Sequence, residues 1–396
     1  MSNYTQPSGQ RGRWDHLLSL DDFERAAQSV LPRPLYGYIA GAAEDNRSLR
    51  GNRSAFARWR LLPRVGRNVS ERSLDVELFG RTYSAPFGIA PMGLAALSCF
   101  QGDLVMARAA QAAAIPYVLS GSSLTPVEAV VDAAPGSWFQ AYLPGDPPRI
   151  RALLDRVQAC GVEVLVVTLD LPVAGNRENL ARVGFTTPLR PSLRLATDVM
   201  MRPRWLLGTW LRTLLSQGMP HFENNFAERG APILARQVLR DFSQRDHLSW
   251  AHVRDIRQQW RGPLVLKGLL HPDDVAQART LGADGVILSN HGGRQLDGAV
   301  APLDMLAAGV EQAQGMTVML DSGVRRGTDV VKALALGAQA VWLGRPFNFA
   351  AAVGGQAAVT RAAAILREEL DRDLALLGLC RLAELGPDAL VHQSKV

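Results

Sequence analysis

The sequence predicts an α/β fold: an eight-stranded β/α (TIM) barrel with an N-terminal helical segment and a long insertion after strand four. Two observations carry this prediction. Eight short apolar runs recur from residue 86 onward, and Ala- and Leu-rich stretches with helical spacing separate most of them. Runs that are apolar on both faces are typical of buried parallel strands, and eight consecutive βα units close most economically into a barrel. A doubly wound open sheet is the alternative, but "APMGLAALSC" lacks its glycine fingerprint.

The predicted elements follow in chain order. Residues 1–18 are predicted to be a flexible N-terminal arm, and residues 19–396 a single barrel domain. A capping box at Ser19 and Asp22 predicts a helix that ends before Pro32. The eight predicted strands are "PFGIAPM" (86–92), "YVLSG" (117–121), "WFQAYL" (138–143), "VLVVTLD" (164–170), "PLVLKG" (263–268), "GVILSN" (285–290), "TVMLDSG" (317–323) and "AVWLGR", which begins near residue 340.

The fourth and fifth runs lie much farther apart than the others. Residues 175–250 are therefore predicted to form an insertion on the loop side of the barrel. Within it, residues 186–221 combine several arginines with tryptophans, methionines and leucines. An apolar, aromatic and arginine-rich segment too short to span a bilayer predicts a helix that lies in the membrane interface. The alternative is a lid packed on the barrel or on a neighbouring subunit.

Composition narrows the class of protein. The chain has 43 basic and 37 acidic residues without a basic tract, so no nucleic-acid partner is predicted. Its three cysteines are far apart and have no C-x-x-C spacing, which predicts neither disulfides nor a metal site and favours the cytoplasm. The N-terminus lacks the apolar core of a signal peptide, and no uninterrupted apolar run approaches membrane-spanning length.

Polar residues follow nearly every predicted strand. Active sites of β/α barrels lie at the C-terminal ends of the strands, so these residues are candidates for function. Taken singly, most have a structural explanation such as helix capping. Lys267 is the exception, because an ammonium at the end of an apolar strand needs an anionic partner. The seventh and eighth strands end in "DSGVRRGTD" and "LGRP", whose glycines and arginines predict a phosphate site.

The segments "ILSNHGGRQLDG", "VLKG" and "LDSGVRRGTDVVKALALGA" closely resemble the FMN-dependent α-hydroxy-acid dehydrogenase/oxidase family, nearest to its (S)-mandelate and L-lactate dehydrogenases. The resemblance covers roughly residues 20–385. It implies an FMN cofactor, oxidation of an L-(S)-2-hydroxy acid to the 2-oxo acid, and a homotetramer.

The resemblance also implies roles for individual residues. His291 is the base that takes a proton from the 2-hydroxy acid, and Asp170 stabilises the resulting imidazolium. Lys267 lies at the flavin pyrimidine edge and stabilises the anion that develops there. The residues implied to bind substrate are Arg177 and Arg294 through its carboxylate, and Tyr38 and Tyr142 through their hydroxyls. Those implied to bind the flavin ring are Ser120, Gln140 and Thr168, and those implied to bind the ribityl chain and phosphate are Asp321, Gly323, Arg325, Gly344 and Arg345.

Three positions depart from the family pattern. Met92 replaces a threonine, so that only backbone contact with the flavin is expected there. Ser122 replaces the tryptophan that covers the substrate in glycolate oxidase, which leaves room for a bulkier or more polar substituent. Gly93 replaces the alanine of several oxidases, which weakly favours a dehydrogenase.

The remaining residues of "SNHGGRQLDG" receive structural interpretations. Asp297 is predicted to be a cap, and Gly292 and Gly293 to let the backbone pass close to substrate and flavin. The predicted function is a dehydrogenase that oxidises a mandelate-like or lactate-like acid on the inner face of the cell membrane and passes electrons to a quinone. The alternatives are a soluble oxidase that reduces dioxygen to hydrogen peroxide, and a non-catalytic FMN-binding protein.

Overall fold

A computed structural model describes residues 13–186, 192–235 and 245–395. In this part of the chain, every predicted barrel strand is present. The strands are β1 (Trp59–Leu61), β2 (Val76–Leu78), β3 (Arg81–Tyr83), β4 (Phe87–Ile89), β5 (Val118–Ser120), β6 (Trp138–Ala141), β7 (Leu165–Thr168), β8 (Leu264–Leu269), β9 (Gly285–Leu288), β10 (Thr317–Asp321), β11 (Ala340–Leu343) and β12 (Leu390–His392).

Strands β4 to β11 form one parallel sheet in the order β4, β11, β10, β9, β8, β7, β6, β5. A parallel bridge between Ile89 and Tyr117 joins β4 to the residue before β5 and brings the two edges of the sheet together. The predicted β/α barrel is thus confirmed. Outside it, β1 pairs with β12 and β2 pairs with β3, both antiparallel.

Aromatic side chains fill one end of the barrel. Tyr83 and Phe79 of the β2–β3 hairpin pack with Trp138 and Trp342 inside the sheet. The Trp138 indole donates a hydrogen bond to the Tyr83 hydroxyl at 3.2 Å. Because Trp138 begins β6, the hairpin covers the N-terminal ends of the strands. The C-terminal ends are left as the mouth of the barrel, where a site is expected.

Helices surround the barrel and precede it. They are α1 (Leu20–Val30), α2 (Arg33–Ala40), α3 (Arg47–Ala57), α4 (Ala95–Ser98), α5 (Gly102–Ala112), α6 (Val127–Ala133), α7 (Pro147–Ala159), α8 (Glu178–Val183), α9 (Leu193–Met200), α10 (Pro203–Trp205), α11 (Arg212–Gln217), α12 (Trp250–Gln259), α13 (Pro272–Thr280), α14 (Pro302–Ala313), α15 (Gly327–Ala335) and α16 (Arg345–Leu376).

The N-terminal helix α1 has the predicted capping box at Ser19 and Asp22. Of the predicted flexible arm, residues 1–12 lie outside the described residues. Residues 13–18 differ from the prediction, because Leu17 is buried in the core. Trp14 packs against α16 so closely that a Cβ at Gly354 would lie 2.3 Å from its ring. Apolar contact with α16 therefore holds this part of the chain.

The segment between β7 and β8 contains α8 to α12, and a π-helical turn (Leu206–Leu211) joins α10 to α11. Residues 187–191 and 236–244 of the predicted insertion lie outside the described residues. Trp205 points inward and donates its indole N–H to the Leu97 carbonyl at 2.7 Å. Leu207, Leu211 and Leu215 are exposed on the opposite side. We call these three residues the leucine row.

Among the described helices, only α16 is long and apolar enough to cross a membrane. From the sequence, no uninterrupted apolar run of membrane-spanning length was predicted. However, more than half of its apolar window is buried inside the protein. The helix is also interrupted at Gly354 and Gly355, whose backbone angles are not helical. Its packing against α1, α5 and α15 is that of a core helix.

Candidate active site

His291 and Asp170 form a hydrogen-bonded pair at the mouth of the barrel. Asp170 follows β7 and His291 follows β9, and His291 Nδ1 lies 3.1 Å from Asp170 Oδ1. Gly268, in an irregular part of β8, makes room for this carboxylate, because a Cβ there would lie 2.6 Å from Asp170 Cγ. The bond at Nδ1 leaves Nε2 as the acceptor atom of the ring, and Nε2 lies 3.5 Å from the Tyr142 hydroxyl.

The electrostatics of this pair suit a general base. Burial lowers the pKa of His291 below its ordinary value, against the raising effect of Asp170. Burial alone would raise the pKa of Asp170, but His291 and Lys267 outweigh it and the pKa is lowered. At neutral pH the pair is therefore a neutral imidazole beside an ionised carboxylate, the state in which an imidazole accepts a proton.

Lys267 has the anionic partner that its sequence position required. Its ammonium is buried on β8 and lies 2.8 Å from Asp321 Oδ2 at the end of β10. It also donates to the Ser289 hydroxyl at 2.8 Å. Burial alone would lower the pKa of Lys267, but Asp321 and Asp170 raise it above its ordinary value. The lysine is thus held as a cation at the mouth of the barrel.

Arg177 and Arg294 lie together with Tyr38 at one side of the site. Arg177 donates from Nε to the Arg294 carbonyl at 2.9 Å. Arg294 donates to the carbonyls of Tyr38 and Ile39, and its guanidinium lies 4.9 Å from the centre of the Tyr38 ring. These contacts orient two planar guanidinium groups at the edge of one cavity. Such groups recognise a carboxylate through paired N–H donors.

A cavity of about 370 Å³ joins these groups. Most of the residues proposed from the sequence line it. They are Tyr38, Met92, Ser122, Tyr142, Thr168, Arg177, Lys267, His291, Arg294, Asp321, Gly323, Arg325, Gly344 and Arg345. Asp170, Ser120 and Gln140 are not among its described lining residues. Asp170 supports His291 instead, and Ser120 and Gln140 are buried at the ends of β5 and β6.

The turns after β10 and β11 gather positive charge. Arg325 and Arg345 both line the cavity, and Arg345 donates to two carbonyls at the C-terminal end of α2 at 2.9 Å each. Burial lowers the pKa of Arg345 well below its ordinary value, and the guanidiniums of Arg294 and Arg325 lower it further. Gly323 has φ +99°, and a Cβ there would lie 2.4 Å from the Asn52 carbonyl oxygen. Cations gathered in this way favour a bound anion such as a phosphate.

Two buried polar atoms at the ends of β6 and β7 have no hydrogen-bond partner. Among the described residues, Gln140 Nε2 and Thr168 Oγ1 are buried without a hydrogen-bond partner. Ser120 donates to Gln140 Oε1 at 3.2 Å, which orients the amide. Buried polar atoms are normally paired, so these atoms suit the polar edge of a heterocyclic ring. With two arginines after β10 and β11 and the buried Lys267 ammonium lining the same cavity, the residues present fit FMN.

Three cavity or loop residues escaped the sequence interpretation. Ser289 and Ser322 each lie within two positions of a residue that was singled out, and this adjacency is the signal that could have identified them. Arg245 lines the cavity, and its guanidinium lies 4.8 Å from the centre of the Tyr142 ring. It belongs to the insertion, so a search restricted to strand ends does not find it.

Asp297 is the cap that the sequence predicted. Its carboxylate accepts hydrogen bonds from the backbone N–H groups of Ser48 at 2.8 Å and Asp45 at 3.1 Å, at the N-terminus of α3. Asn290 and Asn52 form a reciprocal amide pair between the same helix and the His291 loop, at 2.7 and 2.8 Å. The loop that carries His291 is therefore held by a helix more than 230 residues earlier in the chain.

Gly292 and Gly293 lie close to other parts of the protein. Both have positive φ angles. A Cβ at Gly292 would lie 2.6 Å from Arg345 Nη1, and a Cβ at Gly293 would lie 2.6 Å from the Leu49 backbone nitrogen. The glycines thus allow the loop to approach Arg345 and α3.

Comparisons with known proteins agree with this geometry. The family model described as FMN-dependent dehydrogenase matches residues 27–392. L-lactate dehydrogenase of Xanthomonas campestris pv. campestris (strain B100) is 40% identical over 374 residues, which are 93% of this chain and 95% of the relative. L-lactate dehydrogenase of Stenotrophomonas maltophilia (strain R551-3) is 39% identical over 376 residues, 94% of this chain and 98% of the relative.

Solved structures resemble the chain over nearly its whole length. The monotopic membrane protein (S)-mandelate dehydrogenase superposes with a TM-score of 0.87 at 37% identity, covering 95% of this chain and 99% of that protein. Mandelate oxidase, solved with (S)-2-phenylpropionate, superposes with a TM-score of 0.77 at 33% identity, covering 94% of this chain and 98% of that protein.

Proposed function

The chain belongs to the FMN-dependent dehydrogenase family, and we propose that it oxidises a lactate-like or mandelate-like (S)-2-hydroxy acid and passes the electrons to a membrane quinone. Membership of the family makes it an FMN-dependent 2-hydroxy-acid oxidoreductase. The observation that carries the proposal is the His291–Asp170 pair, which meets two arginines and a buried lysine at one cavity. When bound, FMN supplies the two-electron acceptor.

Different residues of the cavity have different proposed roles toward the substrate. Arg177 and Arg294 bind the carboxylate and thereby orient the carbon that is oxidised. His291 takes a proton from the 2-hydroxy acid at Nε2, and the Asp170 carboxylate stabilises the imidazolium through Nδ1. Tyr38 and Tyr142 donate hydrogen bonds from their hydroxyls to the substrate. Burial raises the pKa of Tyr142, which keeps that hydroxyl protonated.

The remaining polar residues would hold the cofactor. Lys267 would place a fixed positive charge beside the cofactor and would stabilise negative charge there. The proposed contacts to the ring are Ser120, Gln140 and Thr168, with backbone contact at Met92, and those to the ribityl chain and phosphate are Asp321, Gly323, Arg325, Gly344 and Arg345. Ser122 and its neighbours shape the space for the substituent on the oxidised carbon.

The leucine row supports a membrane location. Leu207, Leu211 and Leu215 recur every four residues on the outward side of the helix, opposite the buried Trp205. Arg204 and Arg212 are exposed residues of the same segment, a composition expected for a segment near anionic lipid headgroups. Similarity to a protein described as monotopic favours this interpretation over a lid. We propose that this surface lies on the cytoplasmic leaflet, from which the protein would reach a quinone in the bilayer.

One experiment tests the substrate and the electron acceptor together. The purified holoenzyme is mixed without air with a panel of (S)-2-hydroxy acids, and bleaching of the flavin absorbance is recorded. Reoxidation of the reduced enzyme is then compared with a quinone and with dioxygen. We expect lactate or mandelate to bleach the flavin and quinone to restore it faster. Rapid reoxidation by air with hydrogen peroxide formation would establish the soluble oxidase instead, and an unbleached flavin would reject the proposed reaction.

The family resemblance also implies a homotetramer. We propose this assembly for the present chain. Light scattering of the detergent-solubilised protein measures it, and a mass close to that of one chain would reject it.

A further inference from the structure

The loop that carries His291 has an unusual backbone. His291, Gly292 and Gly293 all have positive φ angles, +57°, +66° and +78°. Glycine adopts such angles freely, but a histidine does so at a cost. Other contacts must therefore hold the backbone of His291 in this conformation, so that its side chain keeps a fixed distance to the substrate.

Two serine hydroxyls supply such contacts. The Ser289 hydroxyl accepts the His291 backbone N–H at 3.0 Å, and the Ser322 hydroxyl accepts the Gly292 N–H at 3.0 Å. Ser289 is fully buried, and Ser322 is nearly so. Ser322 itself has φ +76°, so its position is also held against a backbone preference.

Each hydroxyl has a second partner, and the two partners form an ion pair. Ser289 also accepts from the Lys267 ammonium at 2.8 Å. Ser322 donates to Asp321 Oδ1 at 2.7 Å. Lys267 and Asp321 lie 2.8 Å apart, so the contacts close into a ring that joins β8, β10 and the His291 loop.

This ring does more than stabilise a turn. A serine that only stabilised a turn would bond to its own loop, whereas these hydroxyls connect the loop to charges on two other strands. Ser289 Oγ uses both of its lone pairs as acceptors, one for the loop and one for the ammonium. Any displacement of the ion pair is therefore transmitted to the backbone of the histidine.

We propose that Ser289 and Ser322 are positioning residues that tie the backbone of His291 to the Lys267–Asp321 ion pair. The inference rests on the proposed function, in which His291 accepts the proton and Lys267 lies at the flavin edge. The two serines then keep the proton acceptor and the cation at a fixed separation. The same set of hydrogen bonds thus positions the group that accepts the proton and the cation beside the electron acceptor.

The test uses Ser289→Ala, Ser322→Ala and Ser322→Gly in the holoenzyme. Glycine removes the Ser322 hydroxyl while accepting the positive φ, so it separates the loss of the hydrogen bonds from backbone strain. Ser137→Ala is the matched control, because Ser137 is a buried serine that donates to the Ala134 carbonyl at 2.7 Å, away from the cavity lining. FMN content, the flavin midpoint potential and the anaerobic rate of flavin reduction by substrate are measured.

All three site variants should retain FMN and reduce it about 10- to 100-fold more slowly than wild type, with little change in the half-saturating substrate concentration. Ser289→Ala should also lower the midpoint potential, because a less constrained ammonium stabilises the reduced flavin less. Both Ser322 variants should leave the potential near that of wild type. The Ser137→Ala control should match wild type in rate and potential.

Site variants that reduce at the wild-type rate would overturn the inference, as would slow reduction in Ser322→Ala that Ser322→Gly restores. Variants that fail to retain FMN would overturn it too, since the serines would then serve cofactor retention. If no 2-hydroxy acid reduces even the wild-type flavin, the proposed function fails. If wild type is reduced and the variants match it, only the role of the serines fails.

Discussion

The mouth of the barrel and the helical segment after β7 differ in which side chains they bury and which they expose. At the mouth, charged side chains are buried, and those of Lys267 and Asp321 are 4% and 10% exposed. On the helical segment, apolar side chains are exposed, with Leu207 at 62% and Leu215 at 88%. Buried charges need partners, and exposed apolar rows need a surface to cover them. We therefore expect each region to bind something outside the chain, the anionic cofactor and substrate at the mouth and, as proposed above, a membrane at the helical segment.

Replacing His291, the proposed base at the mouth of the barrel, should have the largest effect. His291→Ala should retain FMN and slow anaerobic flavin reduction by about 10²- to 10⁴-fold, because the variant lacks the imidazole Nε2 that accepts the proton. Stopped-flow absorbance measures the rate. His271→Ala is the control, since His271 is exposed and is not a described lining residue of the cavity. Unchanged reduction in His291→Ala would remove this residue from the mechanism.

Changing the leucine row tests the other region. Replacing Leu207, Leu211 and Leu215 by Gln should weaken binding to anionic lipid vesicles by at least about tenfold, because three apolar side chains lose their burial in the interface. Flavin reduction by substrate should not change. Vesicle co-sedimentation measures the binding, with Leu376→Gln as a control at an exposed leucine of α16. Equal binding of both variants would favour the lid interpretation.

Filling the cavity at Ser122 tests which substituent on the substrate the site accepts. Ser122 lies 3.1 Å from where a Cβ of Gly93 would be. Ser122→Trp should therefore lower kcat/KM for mandelate relative to lactate by about tenfold, because the larger substituent no longer fits. Steady-state kinetics with both acids measure this ratio. An unchanged ratio would place the substituent elsewhere in the cavity.

A buried carboxyl away from the mouth gives the smallest expected effect. Asp103 is fully buried and accepts hydrogen bonds from Tyr117 at 3.3 Å and Thr125 at 3.1 Å. Burial raises its pKa from 3.8 to about 6. The stability it contributes is therefore fully present below its unfolded-state pKa and is lost as pH rises through about 6. Asp103→Asn should flatten this part of the pH profile of the melting temperature, and a retained slope would assign it to other groups.

Local pattern determined a large part of the fold and the site. The barrel strands were predictable because apolar runs and helical spacing are properties of neighbouring residues. The cavity was predictable because parallel strands bring their C-terminal ends together, so that His291, Lys267 and Asp170 had to meet once the strands were identified. Arg245 was not predictable as a cavity residue, because it belongs to the insertion and no periodic pattern includes it.

The contacts that hold the site were decided by the tertiary structure. Asp297 was predicted to be a cap, but only the fold shows that it caps α3, 249 residues away from Ser48. Ser289 and Ser322 are ordinary serines in the sequence, and they join the His291 loop to an ion pair only because β8, β9 and β10 are adjacent. The sequence by itself determined which groups reach the mouth of the barrel, since strand periodicity is local. Their separations and partners depend on how distant segments pack, which no local pattern encodes.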